Sequence, residues 1–336
     1  MRSRPAIATA VLIAIGVVIL QALLVPLFSA PAAHLAPRDL PVIVAGPAPA
    51  TAQLSQQLTQ KEPGAFAITT EPDAASADQA LRDKEAYAAF VVDPAAGPGV
   101  ALHTASGASP TVALLLTQAA TQLDPQIKVT DVAPGDATDP RGAGFAAGFL
   151  PLALTAMLAG FALVLAVRSR TARAAGALTF GVLAGLAGAA VLQTWLGIIG
   201  GAFLVNAGVI ALVATAVTGA VAGLGSLLGR AGLGLGALLV FLVGNPLSGV
   251  AAAPELLPQP WGALGQYLPI GAGGTLLRTS AFFDGAGGAR PAWVLAAYAA
   301  IGLVLVLVSP IRPQGAHEAA ARAPQDSGRE PALNAG

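Results

Sequence analysis

Residues 6–28 run for 23 positions without a charged side chain. As a helix rising 1.5 Å per residue the run is about 34 Å long, enough to cross a hydrocarbon core of roughly 30 Å. The pattern therefore predicts a transmembrane helix. A cleaved signal peptide is the competing reading, since Arg2 and Arg4 form a basic start and Phe28-Ser29-Ala30 resembles a cleavage site. The length favours retention, because a cleaved apolar core is usually only about 7–15 residues. Five further apolar runs, at about 143–167, 174–199, 202–224, 233–250 and 291–309, are apolar enough to insert.

Between the first and second runs the pattern changes. Short alternating or apolar stretches at 41–45, 65–70, 88–92, 100–104 and 127–132 read as strands, and 50–60, 73–82 and 110–123 read as helices. Gly and Pro stand at most of the joints. The predicted fold class is thus a membrane protein of six transmembrane helices, with an α/β extracytoplasmic domain inserted between helices 1 and 2. The expected divisions are transmembrane helix 1 with a short cytoplasmic N-terminus (1–29), the extracytoplasmic domain (30–141), a five-helix membrane domain (142–310), and a disordered cytoplasmic tail (311–336).

Arginines set the expected orientation, because short cytoplasmic connections retain positive charge. Arg168, Arg170 and Arg173 fill the link between the second and third runs, Arg230 lies between the fourth and fifth, and Arg312 comes after the sixth. With Arg2 and Arg4 they place both termini on the cytoplasmic side of the cell membrane.

Composition supports a bilayer environment. Of 336 residues 55% are hydrophobic and 10% charged, well below the roughly 25% charged usual in soluble domains. The net charge of zero hides an asymmetry: residues 30–141 carry 6 Lys/Arg against 12 Asp/Glu, and the remainder 11 against 5. Neither part has a clustered basic face of the kind that binds a phosphate backbone, so nucleic acid is not an expected partner. With no cysteine, disulfides, thiolate metal sites and a Cys nucleophile are excluded.

Chemistry is sparse. His34 and His103 lie in no metal-ligand spacing, the domain's carboxylates are scattered singly, and none of Lys61, Lys84 and Lys128 sits in a GxxxxGK[ST] loop. No catalytic residues, cofactor or metal are expected on this chain, and the expectation is that it is not an enzyme. The six spans as drawn hold no ionisable residue, which counts against a proton-driven pump. Their amides and hydroxyls, among them Gln193, Thr194 and Asn206, read first as interhelical glue. The spaced pairs Gly144/Gly148, Gly181/Gly185, Gly219/Gly223 and Gly232/Gly236 imply close helix packing without identifying a dimer face.

The fifth run is broken early by Asn245-Pro246, and the next stretch of chain is interrupted by Pro254, Pro258 and Pro260. Residues 261–283 are apolar again but contain Pro269 and several glycines. Two half-helices dipping into the outer leaflet, within a re-entrant segment spanning 251–290, fit better than a seventh span. Gly271, Gly273 and Gly274 are the expected point of reversal.

This layout resembles the ABC type-2 permease superfamily, including actinobacterial members and YhgE/Pip-like membrane proteins. The resemblance rests on one helix, a large external domain and five more helices. Its most specific residues are GNPLSG (244–249), PELLP (254–258) with Trp261, and YLPIGAGGTLLR (267–278). It implies a homodimeric permease that binds a cytoplasmic ATPase, with ATP held by that partner, and exports a hydrophobic or amphipathic substrate. By resemblance, Arg168, Arg170 and Arg173 would touch the ATPase. Asn245, Pro246, Pro254, Pro258, Trp261, Pro269, Gly271, Gly273, Gly274 and Arg278 would form the outer gate. Family members also carry an amphipathic helix before the first span, whereas only Met1 to Arg4 precede Pro5 here. That departure keeps a second reading open: a non-transporting membrane protein whose external domain binds a cell-envelope partner.

Overall fold

The computed structural model describes residues 3–93 and 99–310. The expected tail at 311–336, with Arg312, and the basic residue Arg2 lie outside the described residues. Helix α1 (Ser3–Ala33) carries the first apolar run. Its residues 7–23 are all exposed, and it approaches the remaining structure only near its C-terminal end. A helix apolar on every side and exposed over most of its length suits a hydrocarbon environment rather than water.

The next elements form a small α/β domain: β1 (Leu40–Ala45), α2 (Ala48–Lys61), β2 (Phe66–Glu71), α3 (Ala74–Arg82), β3 (Ala88–Val92), β4 (Val100–Thr104), α4 (Pro110–Leu123) and β5 (Val129–Asp131). The strand order is β2-β1-β3-β4-β5; β1 runs parallel to β2 and β3, β4 antiparallel to β3, and β5 parallel to β4. Local sequence sets the helix starts. Asp73 accepts from the Ser76 amide at 2.8 Å, and Ser109 accepts from Val112 at 3.2 Å ahead of Pro110.

Alternation along the strands sends side chains to two faces. Ile43, Ala45, Ala89 and Val91 pack with Ala77, Ala80 and Leu81 of α3, while Leu40, Val42, Ala88 and Leu102 pack with Val112, Leu116 and Ala120 of α4. Both cores are completed from far along the chain. Phe283 closes the first, and Ala253 with Leu256 closes the second.

The helical part comprises α5 (Ala143–Ala166), α6 (Arg170–Ala189), α7 (Phe203–Leu228), α8 (Arg230–Ala237), α9 (Gly244–Leu247), α10 (Trp261–Gly265), α11 (Pro269–Phe282) and α12 (Ala289–Val308). Among the described residues six helical stretches are long and apolar enough to cross a membrane, so the chain has the architecture of a multi-pass membrane protein. Helix α7 is the hub, with α5, α6, α8, α11 and α12 packed around it. Contact is close because glycines meet it. Gly181 and Gly185 of α6 lie against Thr215, Ala207 and Ala211, and Gly219 and Gly223 of α7 lie against Gly302 of α12. The other two spaced pairs also pack within the chain, Gly144/Gly148 against Asp139 and Leu192, and Gly232/Gly236 against α7.

Two helices widen into π turns, at Ala190–Trp195 after α6 and at Leu238–Val243 between α8 and α9. The second precedes Pro246, which has no N–H to give and whose ring needs room at the carbonyl four residues back. The stretch Arg230–Leu247 therefore continues as one 18-residue span instead of stopping. The first π turn presents Gln193. Asn206, fully buried on α7, donates to the Gln193 side-chain oxygen at 3.0 Å and to the Gly200 carbonyl at 2.7 Å, and accepts from the Ser280 hydroxyl of α11 at 2.8 Å. These amides tie three elements together, whereas Thr155 and Thr215 bond the carbonyls of their own helices. Asn206→Leu is expected to lower stability in detergent by roughly 2 kcal/mol, because one buried and two half-buried polar groups each lose a partner. Thermal unfolding checks this, with Thr155→Val as a near-neutral control.

Candidate functional site

The sheet domain sits on one end of the bundle, where α5 and α7 begin and α11 lies; the links carrying Arg168, Arg170, Arg173 and Arg230 occupy the opposite end. Beside the apolar contacts of Ala253, Leu256 and Phe283, polar bonds also cross the seam between domain and bundle. Arg38 donates to the Leu256 carbonyl at 2.8 Å, and the Ser109 hydroxyl to Ala252 at 2.6 Å. Thr111 donates to Ala251 at 3.1 Å. Residues 251–257 thus dock onto the sheet domain, while α11 returns into the bundle and is buried along almost all its length between α7 and α12.

A cavity of about 380 Å³ lies in this seam. Lys84, Glu85 and Tyr87 line it from the loop after α3, Ser248, Gly249, Val250 and Glu255 from the chain after α9, and Thr275, Arg278 and Arg290 from α11 and α12. Arg278 is 7% exposed and stands 4.4 Å from the centre of the Phe145 ring. It donates to the carbonyls of Gly107 at 3.3 Å and Val250 at 3.1 Å, joining sheet domain to bundle. Lys84, whose backbone φ of 58° is unusual for a residue with a side chain, donates to the Thr279 hydroxyl at 2.5 Å. Arg290 is exposed at the mouth and covers the Tyr267 ring at 4.7 Å.

The Tyr87 hydroxyl donates to Glu255 at 2.8 Å. Burial, reinforced by the Glu255 carboxylate, holds the phenol well above its ordinary pKa, so it remains a donor. Lys84 is shifted the other way. Burial first, and then the positive charge of Arg278, push it down to about 8, while Glu255 pulls it partly back. Unfolded, Lys84 keeps its proton to its ordinary value near 10.5, so between about pH 8 and 10.5 the unfolded chain binds the extra proton and stability rises with pH. Below pH 8 the penalty of the charged amine is present in full. Wild type is therefore expected to gain about 2 kcal/mol on Lys84→Met between pH 7 and 9.5. Thermal unfolding of both proteins across that range checks it; parallel curves would contradict it.

A second cavity, of about 360 Å³, lies on the side of the bundle between the end of α1, α5 and α9. Phe28, Leu35, Ala146, Phe149, Leu150, Asn245 and Pro246 make its wall mostly apolar, and it shares Ser248, Gly249, Val250 and Ala252 with the seam cavity.

The residues read as a gate are dispersed over this region. Asn245 and Pro246 face the side cavity, Pro254 opens a 3-10 turn (Pro254–Leu256), and the Pro258 carbonyl accepts from the Trp261 amide at 2.9 Å. Trp261, half exposed, begins α10, and Pro269 begins α11. One expectation needs correction. Gly271, Gly273 and Gly274 do not form the reversal; they lie inside α11, and the chain turns at residues 266–268. Their lack of a side chain serves packing, since Gly271 lies against Gly265, Gly273 against Phe149 and Val213, and Gly274 against Val250.

The arginine link also divides. Arg173 donates to Val167, Val164 and the Ser226 hydroxyl, and Arg170 to Leu307, so both satisfy helix ends inside the chain. Arg168 is exposed. Sequence reasoning missed Lys84, Tyr87, Glu255 and Arg290 as members of one site. Asp83-Lys84-Glu85 reads as an ordinary charged turn, and nothing local links it to a residue nearly 200 positions away. Among the described residues no three His, Asp or Glu side chains gather as metal ligands. Compared with protein-family models, with curated proteins and with solved structures, the chain finds no match in any of the three.

Proposed function

We propose that this chain is the permease subunit of an ABC type-2 exporter, acting as a homodimer with a separate cytoplasmic ATPase to move a hydrophobic or amphipathic substrate out of the cytoplasm or inner leaflet. In this reading the sheet domain is extracytoplasmic, inserted between the first and second of six spans, and both termini are cytoplasmic in the cell membrane. The observation that carries it is the segment 245–282. It leaves the fifth span, docks on the sheet domain, and comes back into the bundle as α11 without crossing it. Backbone that turns at membrane depth is tolerated only where protein or a water-filled cavity satisfies it. Here the turning segment borders both cavities, one polar and one apolar. A port of that composition beside the first span suits a substrate with an apolar body and a polar end.

The exposed Arg168 is the residue of the link left free to touch an ATPase, while Arg170 and Arg173 hold helix ends. Purification from native membranes in mild detergent is expected to retain an ATP-hydrolysing subunit, and Arg168→Glu to reduce its recovery several-fold with the melting profile unchanged. Recovery of envelope proteins with no ATPase would favour the partner-binding reading instead. Topology is tested separately with Gln56→Cys on α2 and Ala172→Cys on α6, both exposed positions in a chain without cysteine. An impermeant maleimide should label the first and spare the second in intact cells. Equal labelling would overturn the orientation.

A further inference from the structure

We infer that the seam cavity is a binding site for a phosphate-bearing anion, held by Lys84, Arg278 and Arg290. The site joins the loop after α3 to α11 and α12, which lie nearly 200 residues further along the chain, and it stands whether or not the chain is an exporter. Three cations line a cavity of about 380 Å³, yet among the described residues none of them has a carboxylate within ion-pair distance; the one such pair is His103 with Asp78. Arg278 is almost completely withdrawn from water and Lys84 is half-buried. Uncompensated buried cations are costly unless a counter-charge arrives. The nearest carboxylates, Glu255 for Lys84 and Asp139 for Arg278, act only from beyond ion-pair distance, and Asp139 is occupied by the Gly144 and Phe145 amides. Glu255 is engaged by the Tyr87 hydroxyl at 2.8 Å, and Glu85 is exposed.

The remaining hydrogen bonds of the cations go to neutral acceptors: Lys84 to the Thr279 hydroxyl, Arg278 to two backbone carbonyls. Those acceptors fix the direction of each side chain without cancelling its charge. Ring contacts with Phe145 and Tyr267 hold the two guanidinium planes. Two guanidinium forks and an ammonium make a donor set that matches the several oxygens of a phosphate. Thr275 and Ser248 add polar lining. Because the wall at residues 248–250 is shared with the apolar side cavity, a phosphate carrying an acyl tail can place its head in one space and its tail in the other.

The test uses the full chain in nanodiscs or detergent, with binding read by native mass spectrometry and by ligand-induced thermal shift. Phosphatidic acid is the lipid probe, diacylglycerol its phosphate-free control, and glycerol 3-phosphate the soluble probe. Phosphatidic acid is expected to bind where diacylglycerol does not. Lys84→Gln and Arg290→Gln should each weaken it roughly tenfold, the loss of about one charge-assisted bond. Arg290 is exposed and contributes no buried contact to the fold, so its variant reports on the site even if changes at Lys84 disturb folding. Binding of glycerol 3-phosphate with the same dependence on both residues, and none of phosphatidic acid, would uphold the anion site with a soluble source. Binding of neither probe, or binding that Arg290→Gln and Lys84→Gln leave unchanged, would overturn it. ATPase recovery in the Arg168 experiment is independent of this result, so failure of one leaves the other standing.

Discussion

Gly302→Ala is expected to be among the most damaging single-methyl changes in this protein. A Cβ at residue 302 would fall on the backbone of Gly219 and lie 2.7 Å from the Ala220 nitrogen. Backbone cannot rotate aside as a side-chain tip does, so α12 and α7 must separate along their whole contact. Overpacking of a well-packed core typically costs about 1–3 kcal/mol, and with helix backbone as the obstacle the upper end is expected. The gain in helix propensity from Gly to Ala, roughly 1 kcal/mol at most, does not offset that. The comparison variant is Gly208→Ala on α7, where nothing lies within 4 Å of the new methyl. It is expected to be neutral or slightly stabilising. Thermal unfolding in detergent that found the two variants alike would contradict the hub role of α7.

Arg278→Met is expected to loosen the sheet domain from the bundle. The substitution keeps an apolar stem but removes donors to Gly107 and Val250 and the ring contact with Phe145. Leaving buried carbonyls without donors costs about 1–3 kcal/mol, and loss of a desolvated cation–π contact adds about 1–2. Part returns, because Lys84 no longer faces a like charge. That gives the prediction a second, sharper form. In the Lys84→Met, Arg278→Met double variant the relief of repulsion is gained only once, so the double change should be more destabilising than the two single effects added, by roughly 0.5–1 kcal/mol. Faster proteolysis within residues 133–142, the connection between sheet domain and α5, is expected in the single Arg278 variant. Equal cleavage rates in variant and wild type would mean that the other seam bonds suffice.

The apolar runs and the alternating strands are legible because each signal is local. Strands expected at 88–92 and 100–104 and the helix at 110–123 occur as Ala88–Val92, Val100–Thr104 and Pro110–Leu123. Period, capping residue and proline position are all contained within a dozen residues there. The glycines of 271–274 mislead for a related reason. Glycine permits a turn and also permits close packing, and the sequence does not say which until the neighbours at Phe149, Val213 and Val250 are known.

Composition and pattern alone determined that this chain has six stretches apolar enough to cross a membrane and that a mixed α/β domain comes after the first. Those properties are sums over neighbouring side chains, and the chain carries them before it folds. That the fifth runs on through Pro246 by way of a π turn was not legible there. Only the tertiary structure decided that residues 251–257 and Phe283 complete the sheet domain's cores, that Arg170 and Arg173 hold helix ends while Arg168 stays exposed, and that Lys84, Glu255, Arg278 and Arg290 line one cavity. The physical reason is that burial and charge are properties of a place. Lys84 becomes a desolvated cation only when α11 brings Thr279 and Arg278 to it, across nearly 200 residues of intervening chain.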